Sequence, residues 1–195
     1  LLGHSMGGYV SLAFAELFSD DLKSLTLFFS TYFADDDEKK EQRQKSLRII
    51  KEAFPTYVSA GIPNLFNPNE KDTLEGKMNF AKKIALSTKN EGVLAAVKGM
   101  IERTDKKLVL ENFDGKILVI AGKHDRAINV EKTIENLPDQ TNIKSYILDC
   151  GHNGHSEKPS ICAEIINTEI LNHLPKHLHF KSKKNLNLIE IITKT

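Results

Sequence analysis

The segment that decides the fold is Leu1-Leu2-Gly3-His4-Ser5-Met6-Gly7-Gly8, at the beginning of the chain. It contains the pattern Gly-x-Ser-x-Gly, with an apolar pair before it and an amphipathic stretch after it. In this pattern a buried strand turns sharply into a helix, and the serine hydroxyl is exposed at the turn. The serine backbone is strained there, and side chains at the two flanking glycine positions, Gly3 and Gly7, would collide with the turn. The segment therefore predicts a strand, a turn and a helix, with Ser5 as a candidate nucleophile.

The residue after the serine contributes a backbone group to the same turn. Met6 stands at the start of the predicted helix, where N–H groups have no acceptor within the helix and the helix dipole favours negative charge. A donor in this position stabilises the oxyanion that forms when a serine attacks a carbonyl carbon. We therefore predict that the backbone N–H of Met6 is one donor of an oxyanion hole, and the sequence indicates no second one.

Downstream of the turn, helical and strand patterns alternate, which is typical of the α/β class. Strands are predicted at Leu25–Phe29, Lys116–Ala121 and Ile143–Leu148, and helices at about Gly8–Phe18, Val130–Leu137 and from Pro159 onward. In the first helix one apolar face is indicated by the three- and four-residue spacing of Val10, Ala13, Phe14 and Leu17. We expect a mostly parallel sheet flanked by helices, with a partial α/β core at 1–34 and 108–175, a helical insertion at 35–107, and a tail rich in Lys, Asn and Ile at 176–195.

A nucleophilic serine needs a general base, and the base needs a carboxylate that orients it. Asp125 follows the predicted strand Lys116–Ala121, and His152 follows the predicted strand Ile143–Leu148. Both residues, like Ser5, lie at the carboxyl end of a strand, and parallel strands place these ends at one edge of the sheet. We therefore predict that the three side chains meet there as a catalytic triad.

Together these motifs resemble the α/β-hydrolase family, and in particular its capped, esterase-like serine hydrolases. The resemblance extends from Leu1 to about Leu174 and rests on Gly3–Gly8, on the Gly-x-x-Asp of Gly122–Asp125, and on Gly151-His152 followed by Glu157-Lys158-Pro159. The order Ser, Asp, His is also that of the fold. The resemblance implies that Ser5 is the nucleophile, Asp125 the acid and His152 the base, and that residues 35–107 form a helical cap over the active site.

The same resemblance implies a function. It is the hydrolysis of a carboxylic ester of a small or medium apolar substrate through an acyl-enzyme on Ser5, in the carboxylesterase class EC 3.1.1, without a cofactor. Hydrolysis of an amide, a lactone or a carbon–carbon bond by the same triad remains open, and so does a ligand-binding protein without turnover. We expect Phe33, Leu65, Phe66 and Met78 to line or cover the substrate pocket, because they lie between the strand and the cap.

Other assignments of the candidate residues are open at this stage. His155 is a neighbouring candidate base, although the Gly151-His152 step favours His152. A carboxylate following the strand Leu25–Phe29 is a second candidate acid, but that loop carries none before Asp35. The four residues Cys150, His152, His155 and Cys162 could be offered as zinc ligands. Their spacing is irregular for a structural zinc site, so we predict no metal.

Composition excludes several classes of partner. The chain of 195 residues has 27 Lys and Arg against 26 Asp and Glu, a net charge of +1, which provides no general attraction to nucleic acid or to anionic membranes. No apolar run reaches the ~18 residues that span a bilayer. Two cysteines fit a reducing compartment, so we expect a cytoplasmic protein whose partner is a small ester-like substrate. The sequence does not indicate an oligomeric state.

The beginning of the chain leads to one more expectation. The sequence starts in mid-motif without Met, and the strands and the oxyanion loop that precede the serine in the resembling family have no counterpart in it. We therefore expect the chain to be the C-terminal part of a longer protein. By itself it is expected to be poorly soluble and inactive, because the strand leading to Ser5 would lack its neighbours.

Overall fold

A sheet of four parallel strands positions the site. In the computed structural model, which describes residues 1–171, the strands lie side by side in chain order: β1 (Leu2–His4), β2 (Ser24–Phe28), β3 (Lys116–Gly122) and β4 (Ile143–Leu148). Gly3 pairs with Leu27, and Leu27 pairs with Val119 on its other side. Because every pairing is parallel, the carboxyl ends of all four strands lie at the same edge of the sheet.

Helices connect the strands, as the α/β class requires. β1 leads into β2 through α1 (Met6–Leu17). The segment between β2 and β3 is helical, as predicted, and consists of α2 (Asp37–Gly61), α3 (Lys71–Leu86), α4 (Asn90–Glu102) and α5 (Lys107–Glu111). β3 and β4 are joined by α6 (Val130–Glu135), and α7 (Gly154–Glu157) follows β4. Short 3₁₀ helices are found at Ser19–Asp21, Ile62–Leu65 and Pro68–Glu70.

The two central strands are buried on both faces. On one face the cluster around Leu27 and Val119 includes Leu12 and Ala15 of α1 and Leu110 of α5. The alternating residues of the other face are buried as well, with at most 2% exposure at Thr26, Phe28, Leu118 and Ile120. Each fully buried side chain of this size contributes about 1.5–3 kcal/mol. Neither β2 nor β3 therefore has a face exposed to solvent.

Helix α1 packs on the sheet with a different face from the one its apolar spacing indicates. Val10 and Leu17 are 62% and 72% exposed, whereas Leu12 and Ala15 are almost completely buried. The other buried residues of α1 are Gly8 and Ser11. Small side chains allow the helix to approach the strands closely, and that approach selects the face. Val10 and Leu17 therefore lie outside the buried face of α1.

The helical insertion has an apolar cluster of its own. It forms where α2 packs against α4, around Ile50, Phe54, Val58 and Val97. Asp36 caps α2 by accepting the N–H of Lys39 at 2.8 Å, and Asp37 and Glu38 lie in the first turn, where the helix dipole favours acidic residues. Pro55 does not end α2 but bends it, since Ala53 has a non-helical backbone (φ −151°, ψ 56°).

The chain divides into two compact units after Glu157, and α8 (Pro159–Glu169) lies in the second. Pro159 is the first residue of α8, a position that proline tolerates because its missing N–H would be unpaired there. The predicted tail at 176–195 lies outside the described residues. Within residues 1–171 no helix is both long and apolar enough to cross a membrane.

Candidate active site

Ser5 occupies the sharp turn between β1 and α1. Its backbone has φ 52° and ψ −119°, in the region that residues with a side chain rarely adopt. Three hydrogen bonds hold this strained residue. Its N–H donates to the carbonyl of Phe28 at 3.0 Å, and its own carbonyl accepts from Gly8 N–H at 2.9 Å and from Ser30 Oγ at 2.7 Å. Partners on both sides of the residue therefore offset the cost of the conformation.

The glycines of the turn differ in what they allow. A Cβ at Gly3 would lie 2.3 Å from the carbonyl oxygen of Gly7, and one at Gly8 would lie 2.3 Å from Ser30 Oγ. A Cβ at Gly7 would meet no atom within 4 Å. The expected collision at both flanking positions is therefore found at Gly3 but not at Gly7. The second close approach is at Gly8, where α1 passes Ser30 in the loop that follows β2.

Three side chains meet at the carboxyl edge of the sheet, as the sequence predicts. Ser5 Oγ donates to His152 Nε2 at 2.7 Å, and His152 Nδ1 donates to Asp125 Oδ2 at 2.7 Å. The His152 side chain is 4% exposed and the Asp125 carboxylate is fully buried. In this arrangement the imidazole, oriented by the carboxylate, can remove the proton from the serine hydroxyl.

The carboxylate of Asp125 is held by its own loop. Oδ1 accepts the backbone N–H groups of Ala127 and Ile128 at 2.7 and 3.2 Å, which leaves Oδ2 directed at His152. The loop starts at Gly122, where a Cβ would lie 2.2 Å from the carbonyl oxygen of Gly151. The ends of β3 and β4 are therefore close enough for the acid and the base to meet.

His4, the residue before the nucleophile, also reaches the base. Its Nε2 donates to the backbone carbonyl of His152 at 3.1 Å, and its ring packs edge-on against His155, with 4.5 Å between centroids. Burial, together with His155 and His152 nearby, lowers the pKa of His4 from 6.5 to about 3. Burial and His152 lower the pKa of His155 to about 4. Both rings are therefore neutral at neutral pH, and Nδ1 of His155 is buried without a hydrogen-bond partner.

The backbone N–H of Met6 is the first of α1 and has no acceptor within the helix. It belongs to the residue after Ser5, where the sequence predicts an oxyanion donor. Its role stays a prediction.

The other candidates for the acid and the base do not take part in the hydrogen bonds of Ser5, His152 and Asp125. Asp35, the other candidate acid, forms ion pairs with Arg43 and with Arg103. Burial opposes its ionisation, but hydrogen bonds from the two guanidinium groups outweigh burial and lower the pKa of the carboxyl. His155 donates to neither Asp125 nor Ser5. No group of three or more His, Cys, Asp or Glu within residues 1–171 is arranged to hold a metal ion.

The four predicted pocket residues have different surroundings. Phe33 lines a cavity of about 390 Å³, together with Tyr9, Thr31, Arg103, Arg126 and Lys132. Leu65, Phe66 and Met78 do not line this cavity. Phe66 is 1% exposed, and the carbonyl of Leu65 accepts the N–H of Asn153 at 2.9 Å. Contact of any of the four with substrate stays a prediction.

Sequence reasoning missed the residues that support the triad. Ser30 and His4 fix the nucleophile and the base, and Glu157 accepts the N–H of Gly151. Glu157 belongs to the stretch that carries the family resemblance, but its second partner, Asn67, is 90 positions away in the chain. Nothing in the local spacing indicates which backbone group a buried carboxylate will accept.

No protein-family model matches the sequence, and no curated protein matches it. Several solved structures are similar to this chain. A thermophilic esterase from Thermogutta terrifontis is 28% identical, with a TM-score of 0.78, over 87% of this chain and 63% of the esterase. The enol-lactonase from Burkholderia xenovorans LB400 is 19% identical, with a TM-score of 0.77, over 87% of this chain and 64% of the lactonase. An α/β-hydrolase enzyme from a Medee basin deep-sea metagenome library is 17% identical, with a TM-score of 0.73, over 89% and 65%.

These similarities establish the fold. The chain has the α/β-hydrolase fold, as the sequence predicted from the Gly-x-Ser-x-Gly motif and the order of the candidate residues. It spans slightly less than two thirds of the length of these structures, at 63–65%.

Proposed function

We propose that this chain carries the catalytic triad of a serine hydrolase that cleaves carboxylic esters. The observation that carries the proposal is the unbroken hydrogen-bonded series from Asp125 through His152 to Ser5, with 2.7 Å at each step. Ser5 is the nucleophile, His152 the general base and Asp125 the carboxylate that orients it. A buried acid and base with matched distances are what acyl transfer through a serine requires.

The proposed reaction has two stages. Ser5 Oγ attacks the ester carbonyl carbon while His152 Nε2 takes the hydroxyl proton, and the N–H of Met6 donates to the oxyanion that forms. The tetrahedral intermediate collapses as His152 returns the proton to the leaving alcohol, which leaves an acyl-enzyme on Ser5. Water then attacks the acyl carbon with His152 again as base. The bond between this carbon and Ser5 Oγ breaks as His152 returns the proton to Oγ, and the acid is released. Asp125 keeps Nδ1 protonated throughout, so that Nε2 is the atom that accepts.

The ester class is supported by the similarity at 28% identity to a solved structure that is an esterase. The similarity to an enol-lactonase makes a cyclic ester the second candidate. We further propose that residues 35–107 form a cap and that Phe33, which lies between β2 and this insertion, contributes a wall of the substrate pocket. The 390 Å³ cavity that Phe33 lines is not lined by Ser5, Asp125 or His152, so the proposal rests on the position of Phe33 in the chain.

We also propose that turnover needs polypeptide beyond residues 1–195. β1 is an outer strand of the sheet, and among the described residues its outer edge has no neighbouring strand. Val10 and Leu17 of α1, the helix that follows β1, are largely exposed. An apolar surface next to an unpaired strand edge is what further strands and helices would cover. The similarity covers only 63–64% of the length of the esterase and the lactonase, so both contain further polypeptide.

The proposal is tested in the complete protein with a fluorophosphonate, which reacts with activated serines. Labelling should map to Ser5, and His152→Ala should abolish it. The matched variant His155→Ala should be labelled at close to the original rate, because His155 makes no hydrogen bond to the triad. A reversed result would show that His155 is the base. Absence of labelling in the unaltered protein would favour a ligand-binding protein without turnover.

A further inference from the structure

A buried carboxylate attaches the loop of His152 to the helical insertion. The oxygens of Glu157 accept the N–H of Gly151 at 3.0 and 3.1 Å, and one of them accepts the N–H of Asn67 at 3.1 Å. Glu157 is 7% exposed and Asn67 is 2% exposed. One side chain therefore holds the residue before the candidate base and a residue of the insertion at the same time.

The two backbones are also in direct contact. A Cβ at Gly151 would lie 2.6 Å from the carbonyl carbon of Phe66 and 2.7 Å from the nitrogen of Asn67, so only glycine fits at this position. On the other side of His152, the N–H of Asn153 donates to the carbonyl of Leu65 at 2.9 Å. The residues that flank the imidazole thus both lie against residues 65–67.

The short helix α7 returns Glu157 to this contact. The N–H groups of Ser156 and Glu157 donate to the carbonyl of Asn153 at 2.8 and 3.0 Å, and the tight turn directs the carboxylate back at Gly151. Without the carboxylate, the N–H groups of Gly151 and Asn67 would lose a buried acceptor. Buried backbone donors are rarely left unpaired, so the loop would have to shift to regain partners.

We propose that Glu157 is a positioning residue that sets the place of His152 relative to Ser5 by fixing its loop to residues 65–67. The inference rests on the proposed function, because Glu157 acts only through the candidate base. Residues 65–67 connect α2 to α3, so the insertion supports the base in addition to any part it has in the pocket. A misplacement of about 1 Å in a catalytic group can lower the rate ~10²-fold, which makes such support consequential.

The first variant to measure is Glu157→Gln in the complete protein. The amide has nearly the same size, but its NH₂ group cannot accept an N–H, so in either orientation at least one of the two contacts to Gly151 is lost. The remaining amide oxygen is also a weaker acceptor than a carboxylate oxygen for the N–H groups of Gly151 and Asn67. We expect kcat to fall roughly tenfold or more, with KM little changed, because the loop moves while the pocket stays. Rates are divided by the number of Ser5 sites that a fluorophosphonate titrates, which removes unfolded protein from the comparison.

Asn67 offers a matched pair of variants that isolates the same bond from the other side. Its φ of −57° suits proline, and the extended Phe66 before it suits a residue that precedes proline. Asn67→Pro deletes the N–H that Glu157 accepts, whereas Asn67→Ala keeps the N–H and loses the same side chain. We expect Asn67→Pro to lower kcat per site as Glu157→Gln does, Asn67→Ala to leave it nearly unchanged, and the pair Asn67→Pro with Glu157→Gln to lose little more than either alone.

Each outcome decides the proposal. Equal kcat per titrated site in Asn67→Pro and Asn67→Ala, together with an unaffected Glu157→Gln, overturns it. A lower melting temperature with unchanged kcat per site also overturns it, because Glu157 would then support the fold alone. If Ser5 of the unaltered protein is not labelled at all, the proposed function has failed, and that result is distinct from equal rates among labelled variants.

Discussion

Nε2 of His4 lies 3.1 Å from the backbone carbonyl oxygen of His152, so the residue before the candidate nucleophile is bonded to the candidate base. Two contacts therefore connect the turn that carries Ser5 with the loop that carries His152: this bond and the contact between Ser5 Oγ and His152 Nε2. Burial lowers the pKa of His4 to about 3, so its ring donates as a neutral imidazole at neutral pH.

The first prediction concerns this bond. His4→Phe keeps an aromatic ring in contact with Phe28 and Phe29 but removes the donor, which leaves the carbonyl of His152 without it. We expect kcat to fall roughly tenfold, in line with the loss of one buried hydrogen bond. His4→Gln carries an amide N–H at a similar distance and should recover most of the rate. Equal rates in the two variants, measured per titrated Ser5, would contradict the assignment.

The second prediction concerns stability at acid pH. His155 titrates near 6.5 when unfolded and at about 4 when folded, so protons bind the unfolded chain more strongly between these values. Its contribution to stability is present above pH 6.5 and is lost as the pH falls toward 4. From pH 7 to pH 5 the free energy of unfolding should drop by about 2 kcal/mol more in the unaltered protein than in His155→Phe. Urea unfolding at the two pH values measures this difference, and equal drops would contradict it.

The third prediction compares two glycines of the turn between β1 and α1. Gly3→Ala places a Cβ 2.3 Å from the carbonyl oxygen of Gly7, whereas Gly7→Ala places one where no atom lies within 4 Å. We expect Gly3→Ala to destabilise the protein by several kcal/mol or to prevent folding, since backbone atoms cannot move aside cheaply. Gly7→Ala should unfold at a urea concentration close to that of the unaltered protein. Similar losses in both variants would mean that the turn is built differently.

The fourth prediction concerns residues 1–195 by themselves. Expressed alone, this chain should be poorly soluble and show no turnover of a p-nitrophenyl ester, because the outer edge of β1 and the exposed face of α1 invite association. Replacing Val10 and Leu17 with Lys should increase the solubility of the isolated chain. In a longer protein that supplies strands beside β1, the same two substitutions should be destabilising. An active, soluble monomer of residues 1–195 would contradict this account.

Local patterns predicted the fold and the three candidate catalytic residues but not their support. The strand β3 is an unbroken apolar run followed by Gly122 and Asp125, so its ending and the acid can be inferred from neighbouring residues. The partner of Glu157 in the insertion, Asn67, is 90 positions away. Such pairs depend on how loops are packed, and spacing along the chain carries no record of that.

Two smaller misses have physical causes as well. In α1 apolar residues occur on more than one side, so periodicity alone could not indicate that the small residues Gly8 and Ala15 would face the sheet. Asparagine is a preferred helix N-cap, but Asn90 is the first residue of α4 and its side-chain amide donates to the carbonyl of Ile50 at 3.5 Å. In both cases tertiary packing prevailed over a local preference.

The most direct test of the central claim is the activity and labelling of Ser5→Ala in the complete protein. The hydroxyl that His152 contacts at 2.7 Å is removed, while the surrounding fold loses only one small polar group. We predict that ester hydrolysis falls on the order of 10⁴-fold or more, with urea unfolding unchanged, and that a fluorophosphonate labels the unaltered protein at Ser5 and leaves Ser5→Ala unlabelled. Hydrolysis by Ser5→Ala at near the original rate, or labelling of a different serine in the unaltered protein, would contradict the assignment of Ser5 as nucleophile.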